Sequence, residues 1–296
     1  MKKQLLITCL LVAVFFARAQ QPDTASIIIH YKFSHLRDTT QPTNIYTENM
    51  MLLPGKKSTA YKSYDARLAA LDVKRQIQEQ TAANGPDAPL HIIQKNGGSG
   101  IQYYLFPEQN KLIRIEKRLM NSYQIAEPYP VINWQMSNDT ATFGGLHCQK
   151  ATTHFKGRDY TAWFCADIPF HGGPWKLRGL PGLILEAYDT KKQVVFKFDG
   201  IEDAGKITAA AKQANNASKQ PVVRLPGMDL SDDDPRLIAL PADAIKTTEA
   251  EFAKLKEAMD KDPNAFIGRD GPHMAMSGKP GPRPVENNPI ELPEKK

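Results

Sequence analysis

The sequence predicts a mainly β, α+β protein: a curled antiparallel sheet with about two helices packed against it. Three observations predict it. From 101 to 136, short alternating segments follow one another with turn residues and no helix between them, which describes an antiparallel meander rather than βαβ units. Residues 146–168 read as a hairpin closed on Lys156-Gly157, with the glycine supplying the positive φ that tight turns need. Long runs of helix formers occur at 65–82 and 248–263.

The chain opens with Lys2 and Lys3, an apolar run "LLITCLLVAVFF", and small residues at Ala17 and Ala19. This is the pattern of a secretory signal peptide cut after Ala19. The run is too short to span a bilayer comfortably, and no small residue precedes Cys9, so neither an anchor helix nor a lipoprotein is expected. Residues 20–262 then form a single domain. Residues 263–296 hold seven prolines in 34 residues and read as a partly disordered tail. Cleavage removes Lys2, Lys3 and Arg18 and no acid, so a formal charge of +6 falls by three to +3. That is too little to argue for nucleic acid or an anionic surface. The expected location is the periplasm or another exported compartment, with no transmembrane segment after cleavage.

Each element follows from its pattern. "ASIIIHYKFSHL" places Ile27, Ile29, Tyr31 and Phe33 on one strand face. "IYTENMMLL" and "STAYKSY" are the next strands. Helix 65–82 is stopped by Asn84-Gly85-Pro86, with Leu68, Leu71 and Ile77 as its expected buried stripe. "IQYYLF", "KLIRIEKRL", "NSYQIAE" and "VINWQM" make the meander. In the hairpin, Phe155 opposite Arg158 brings Cys148 opposite Cys165 in a non-hydrogen-bonded pair. Such pairs approach to about 4.5 Å between Cα atoms, a separation a disulfide tolerates. An exported chain with two mature cysteines is expected to form that bond. The same register puts Tyr160, Ala162, Phe164, Ala166 and Ile168 on one face. "LILEAYD" and "QVVFKFDGIED" form a second hairpin. "VVRLPG" and "LIALP" are short edge segments. The second helix carries a capping box, Thr248 with Glu251, and a stripe of Phe252, Leu255 and Met259.

The segment "GGPWKLRGLPGLI" allows two readings. Gly179 and Gly182 flank Leu180-Pro181, so a compact turn can drop Leu180 and Leu183 into a core, with Trp175 capping it. Alternatively, Trp175, Lys176, Arg178, Gly179, Leu180, Pro181 and Gly182 form a rigid binding loop.

No catalytic, cofactor or metal residue is assigned. "NGGSGI" lacks the nucleophile-elbow spacing. His147 and Cys148 are strand neighbours and point to opposite faces. The spacings of Cys148, His154, His171 and "HMAM" match no metal template. "SDDDP" reads as a solvated turn, and phosphate-binding and dinucleotide fingerprints are lacking. A binding cleft would draw on Tyr103, Phe106, Tyr123, Trp134, Trp163 and Trp175; taken singly, each is expected to fill the core, as most strand aromatics do.

"GPWKLRGLPGLILEAYDT" resembles the GLPGLI family of exported bacterial proteins. "HCQKATTHFKGRDYTAWF", "IPFHGGP", "NNPIEL" and Asp38-Thr39 fit the same pattern, so the resemblance covers nearly the whole mature chain. It implies an envelope protein of a two-membrane bacterium and supplies no catalytic residues. The element order also suits the half-barrel of periplasmic lipoprotein carriers, an analogy of fold alone. The expected function is non-enzymatic binding or chaperoning of a lipid, lipoprotein or outer-membrane component. The alternatives are an interaction partner of an outer-membrane receptor or transporter, and a periplasmic hydrolase. The expected partner is a hydrophobic ligand or an envelope protein, not nucleic acid.

Overall fold

A computed structural model describes residues 22–85, 88–93, 97–118, 121–206, 234–262 and 286–294. The signal segment, "VVRLPG", "HMAM" and residues 231–233 of "SDDDP" lie outside the described residues.

The strands are β1 (Asp23–Thr24), β2 (Ile27–His35), β3 (Tyr46–Pro54), β4 (Thr59–Ser63), β5 (Ile101–Phe106), β6 (Lys111–Arg118) and β7 (Asn121–Pro128). They continue with β8 (Gln135–Phe143), β9 (Leu146–Phe155), β10 (Arg158–Cys165), β11 (Leu183–Asp189), β12 (Val194–Asp203), β13 (Leu237–Ile238) and β14 (Ile245–Thr247). The helices are α1 (Tyr64–Asn84) and α2 (Glu249–Lys261). Twelve strands make one open sheet in the order β14-β7-β6-β5-β4-β3-β2-β12-β11-β10-β9-β8, not closed into a barrel. β1 and β13 form a separate ribbon. Among the described strands the pairings are antiparallel except β14 with β7. The sheet is two meanders, β2 to β7 and β8 to β12. They meet along β2–β12, where Phe33 pairs with Phe196.

The middle of the sheet is buried on both faces, which explains the unbroken "MMLL" of β3. Met50 and Leu52 join one core with Tyr31, Tyr61, Phe164, Trp175 and Phe196. Met51 and Leu53 join another with Ile28, Ile113, Ile115 and, from the ribbon, Ile238. α2 packs Phe252 and Met259 onto Tyr123 and Ile125 of β7. It begins on the expected capping box, Thr248 with Glu251.

Three expectations need correction. Leu68 and Leu71 are 46% and 40% exposed, and α1 buries Val73 and Ile77 instead. At about 100° per residue, Leu71 sits roughly 200° around the helix from Val73 and cannot share its face. "VINWQM" is not a strand: β8 starts only at Gln135. Its first residues bind other elements instead, with the Asn133 carbonyl accepting from Thr153 of β9 and the Trp134 indole donating to the Arg178 carbonyl in the loop before β11. Finally, Ala166 and Ile168 fall beyond the end of β10.

The hairpin register is as expected, with Arg158 opposite Phe155 and Phe164 opposite Gln149. One step further, Cys148 and Cys165 face each other, both buried and both free thiols rather than bridged. Register sets their proximity; bond formation also needs an oxidant. Burial, and then the facing Cys165, push the Cys148 thiol up to about 11. In the reduced protein both thiols should therefore resist iodoacetamide at neutral pH until denaturant unfolds the hairpin. Rapid native alkylation, followed by mass spectrometry, would contradict this packing.

Candidate functional site

One face of the sheet carries an aromatic floor. The Trp175 ring stacks on Phe196 at a centroid distance of 6.2 Å and an interplanar angle of 12°. Phe155 and Tyr160 flank it at 5.7 and 6.2 Å, and Phe33 stacks on the same Phe196 at 5.1 Å. Tyr31 anchors the floor by donating to the Ile184 carbonyl at 2.6 Å. Three polar atoms in this floor find no partner among the described residues: Tyr61 Oη, Tyr160 Oη and Trp175 Nε1. The Trp175 indole neighbours the Tyr103 hydroxyl without a hydrogen bond of good geometry. An unmatched buried donor costs about 1–3 kcal/mol, so three in one cluster are exceptional.

The loop before β11 supplies one wall. Trp175 and Lys176 point inward and are 2% and 3% exposed. Trp175 holds a left-handed φ of 56°, a conformation that bulky residues rarely adopt. Arg178 lies over the Tyr129 ring at 4.3 Å. Leu180, Leu183, Ile184 and Leu185 enter the core. Gly179 has the expected positive φ, but Gly182 serves differently: a Cβ there would collide with the Cys165 carbonyl of the adjoining strand. The loop is therefore a corner welded to β10, and of its side chains Arg178 is the charged one that reaches toward solvent.

Residues 286–294 run over this wall as a strap. Arg158, 4% exposed, is its principal anchor. Its Nη2 donates to the Asn288 side chain at 2.8 Å and to the Pro289 carbonyl at 2.6 Å, and its Nε donates to the Ile290 carbonyl at 2.9 Å. Its Nη1 pairs with buried Asp189 at 2.9 Å. His35 Nε2 donates to the Asn288 carbonyl at 2.8 Å, and the Asn288 amide donates to the Leu36 carbonyl at 2.6 Å. Asn287 bonds Asp38 and Thr39. Ile290 packs on the aromatic core. The Leu292 amide donates to the Lys156 carbonyl, and the strap lies so close that a Cβ on Gly157 would fall 2.5 Å from the Leu292 carbonyl oxygen. Both nitrogens of His154 face carboxylates, Asp159 at 2.6 Å and Glu294 at 2.8 Å.

Charge completes the rim. Lys176 bridges Glu127 and Glu291, and Lys156 pairs with Glu291 at 3.0 Å. Arg114 joins Glu116, Glu127 and Glu249, and Arg118 joins Glu116. Four cations thus face four carboxylates, which leaves the cluster neutral. Burial pushes the Glu291 carboxyl up, but Lys176 and Lys156 outweigh it and hold the group below the usual carboxylate range. Glu291 also lies close enough to Tyr103 and Tyr160 for both hydroxyls to feel its charge, which places the strap beside the floor.

The structure brings Tyr103 and Trp175 into one core, with Trp134 and Trp163 at its margin. Phe106 belongs to the opposite face and Tyr123 lies under α2. His147 is exposed beside buried Cys148, as strand alternation requires. Arg158, His35, Glu127, Glu291 and Asn288 were not singled out from the sequence. Their partners lie far away in the chain, Arg158 and Asn288 being 130 residues apart. The one available signal was that "FKGRDY", "NNPIEL", "GLPGLI" and Asp38-Thr39 all belonged to the resemblance. "FKGRDY" and Asp38-Thr39 bond directly to the strap that carries "NNPIEL", and "GLPGLI" shares a core with its Ile290.

A family model described as "Protein of unknown function (Porph_ging)" matches residues 153–186, from the end of β9 into β11. No curated protein is significantly similar to the chain. Among solved structures, PNGF-II in its P21 crystal form is 11% identical with a TM-score of 0.45, covering 77% of this chain and 32% of that one. Its C2 form gives the same identity and TM-score with coverage of 79% and 32%. This chain thus spans about a third of the length of that protein.

The strap should respond to acid through His35. Burial drives this imidazole from 6.5 down to about 4, so the folded state holds it neutral while the unfolded chain protonates it. Between those values the unfolded state binds more protons, and stability falls as the pH drops. Glu291 adds a loss of the same sign once the pH passes below 4.5. His154, whose pKa is raised by Asp159 and then Glu294, acts in the opposite direction, but it is exposed and screened. Thermal melts from pH 6.5 to 4 should show a falling midpoint in the native protein and a flatter profile in His35→Gln. Parallel profiles would show that His35 is not the group responsible.

Proposed function

We propose that this chain is an exported, non-enzymatic binding protein of the GLPGLI type, which holds a lipid, lipoprotein or outer-membrane component of the envelope. The observation that carries this reading is the aromatic floor with Tyr61 Oη, Tyr160 Oη and Trp175 Nε1 buried and unpartnered. A ligand suited to it has an apolar body to cover Trp175 and Phe196 and acceptor oxygens to meet those donors. Acylated molecules with ester or amide carbonyls fit that description. The signal pattern at 1–19 supports export, and the bonding of the hairpin and of Asp38-Thr39 to the strap that carries "NNPIEL" supports the family reading. In an oxidising compartment the facing Cys148 and Cys165 close as a disulfide that staples the hairpin beneath the loop.

A second reading, partnership with an outer-membrane receptor or transporter, draws on β8. This nine-residue strand is an edge of the large sheet among the described residues, with Met136 57% exposed. Edge strands accept partner strands by main-chain pairing.

Native mass spectrometry of protein released gently from the periplasm tests the first reading. The expected result is a discrete added mass that extracts into organic solvent and is depleted in Tyr160→Phe. The bare chain mass in every preparation, unchanged by added phospholipid or acylated peptide, would favour the β8 reading. In the same spectra, the oxidised chain should be lighter than the reduced chain by one pair of hydrogens.

A further inference from the structure

The strap is held as peptides are held by recognition domains. Five of its main-chain groups are engaged by the body: the Asn288 N–H by the Arg37 carbonyl, the Asn288 carbonyl by His35, the Pro289 and Ile290 carbonyls by Arg158, and the Leu292 N–H by the Lys156 carbonyl. Contacts of that kind recognise main chain directly, here in a segment that bends at Asn288, Ile290 and Glu291. Side chains then select the sequence. Asn288 is buried between Arg158 and the Leu36 carbonyl, Ile290 enters the aromatic core, and Glu291 meets Lys176 and Lys156.

The groove does not depend on the strap to balance its charges. Arg158 keeps Asp189, and Lys176 keeps Glu127, both from the body of the sheet. Without the strap each cation keeps its carboxylate, while the Nε and Nη2 donors of Arg158 lose their strap acceptors and open to water. The strap is also not a strand of either sheet. It is joined to the end of α2 through residues 263–285, twenty-three residues that can span at most about 80 Å. That reach exceeds the width of a domain of this size, so covalent connection does not dictate which molecule's groove a strap occupies.

We propose that the groove formed by Arg158, His35, Lys156 and Lys176 is a peptide-recognition site for the segment 286–294, and that a second copy of this chain supplies that segment in trans. The in-cis strap competes at the high effective concentration of a tethered ligand, so exchange grows with protein concentration. This inference is independent of the hydrophobic-ligand reading, since a floor that binds nothing would leave it intact.

The test uses the unmodified chain. Equal amounts of light and nitrogen-15-labelled protein are incubated together and treated with a zero-length carbodiimide, which joins Lys156 to Glu291 across their 3.0 Å contact. The expected products include Lys156–Glu291 crosslinks with one light and one heavy half, in a fraction that rises with total protein concentration. Crosslinks that stay wholly light or wholly heavy after long incubation at high concentration would overturn exchange between copies. No crosslink at this pair would overturn the docked strap itself. A labelled peptide of residues 286–294 provides the second measurement. It should bind a full-length Asn288→Ala, Glu291→Lys variant about tenfold more tightly than the native chain, whose own strap competes. The same two changes placed in the peptide should abolish binding. Equal binding of both peptides, or of neither by a folded variant, would sink the recognition site.

Discussion

The guanidinium of Arg158 is the constraint around which this end of the molecule is arranged. A cation this deeply buried must be matched on nearly all of its donors, because an unmatched one forfeits its hydration without return. The chain meets that demand from two distant places: Asp189 at the end of β11, and the strap, through the Asn288 side chain and the carbonyls of Pro289 and Ile290. Asp189 in turn accepts from the Val194 amide and so fixes the β11–β12 turn. One side chain at the mouth of a hairpin therefore ties together a second hairpin and the last described segment. Removing a single member of such a pair costs about 3–5 kcal/mol, so the strap and the turn are coupled through it.

The remaining features fall into place around that anchor. The glycine at 157 lets the strap pass close to the hairpin turn, and the one at 182 lets the loop lie against the Cys165 carbonyl. Trp175 holds a left-handed conformation and stacks on Phe196. Lys176 is drawn under the strap to Glu291, so loop and strap hold each other. The result is an aromatic floor with unmatched donors, walled by a rigid loop and crossed by a segment bound largely through its backbone. Rigid floors with a few polar tips suit ligand binding, and backbone-bound straps suit exchange.

Much of the fold was legible in the chain. The strand pattern, the hairpin turn at Lys156-Gly157, its register down to Phe164 opposite Gln149, and the cap of α2 are local properties, governed by alternation, turn chemistry and capping. The errors were also local in cause. Leu68 and Leu71 are hydrophobic, but their angular positions disagree with Ile77, and "VINWQM" has strand-like apolar content, but its Trp134 serves the neighbouring loop. The site was far less legible. Arg158 reads on its own as a polar residue closing a turn, and Asn288 as one polar residue in a proline-rich tail.

By itself the sequence determined the antiparallel class, the hairpins, the two helices and the facing cysteines, because each depends on residues within a few positions of one another. The tertiary structure alone decided that two meanders join along β2–β12, that Trp175 and Lys176 turn inward, and that residues 286–294 complete the site. Those outcomes rest on pairings between residues more than a hundred positions apart in the case of Arg158 with Asn288. Such pairings are chosen by burial and charge balance across the whole core, and no window of sequence contains that information.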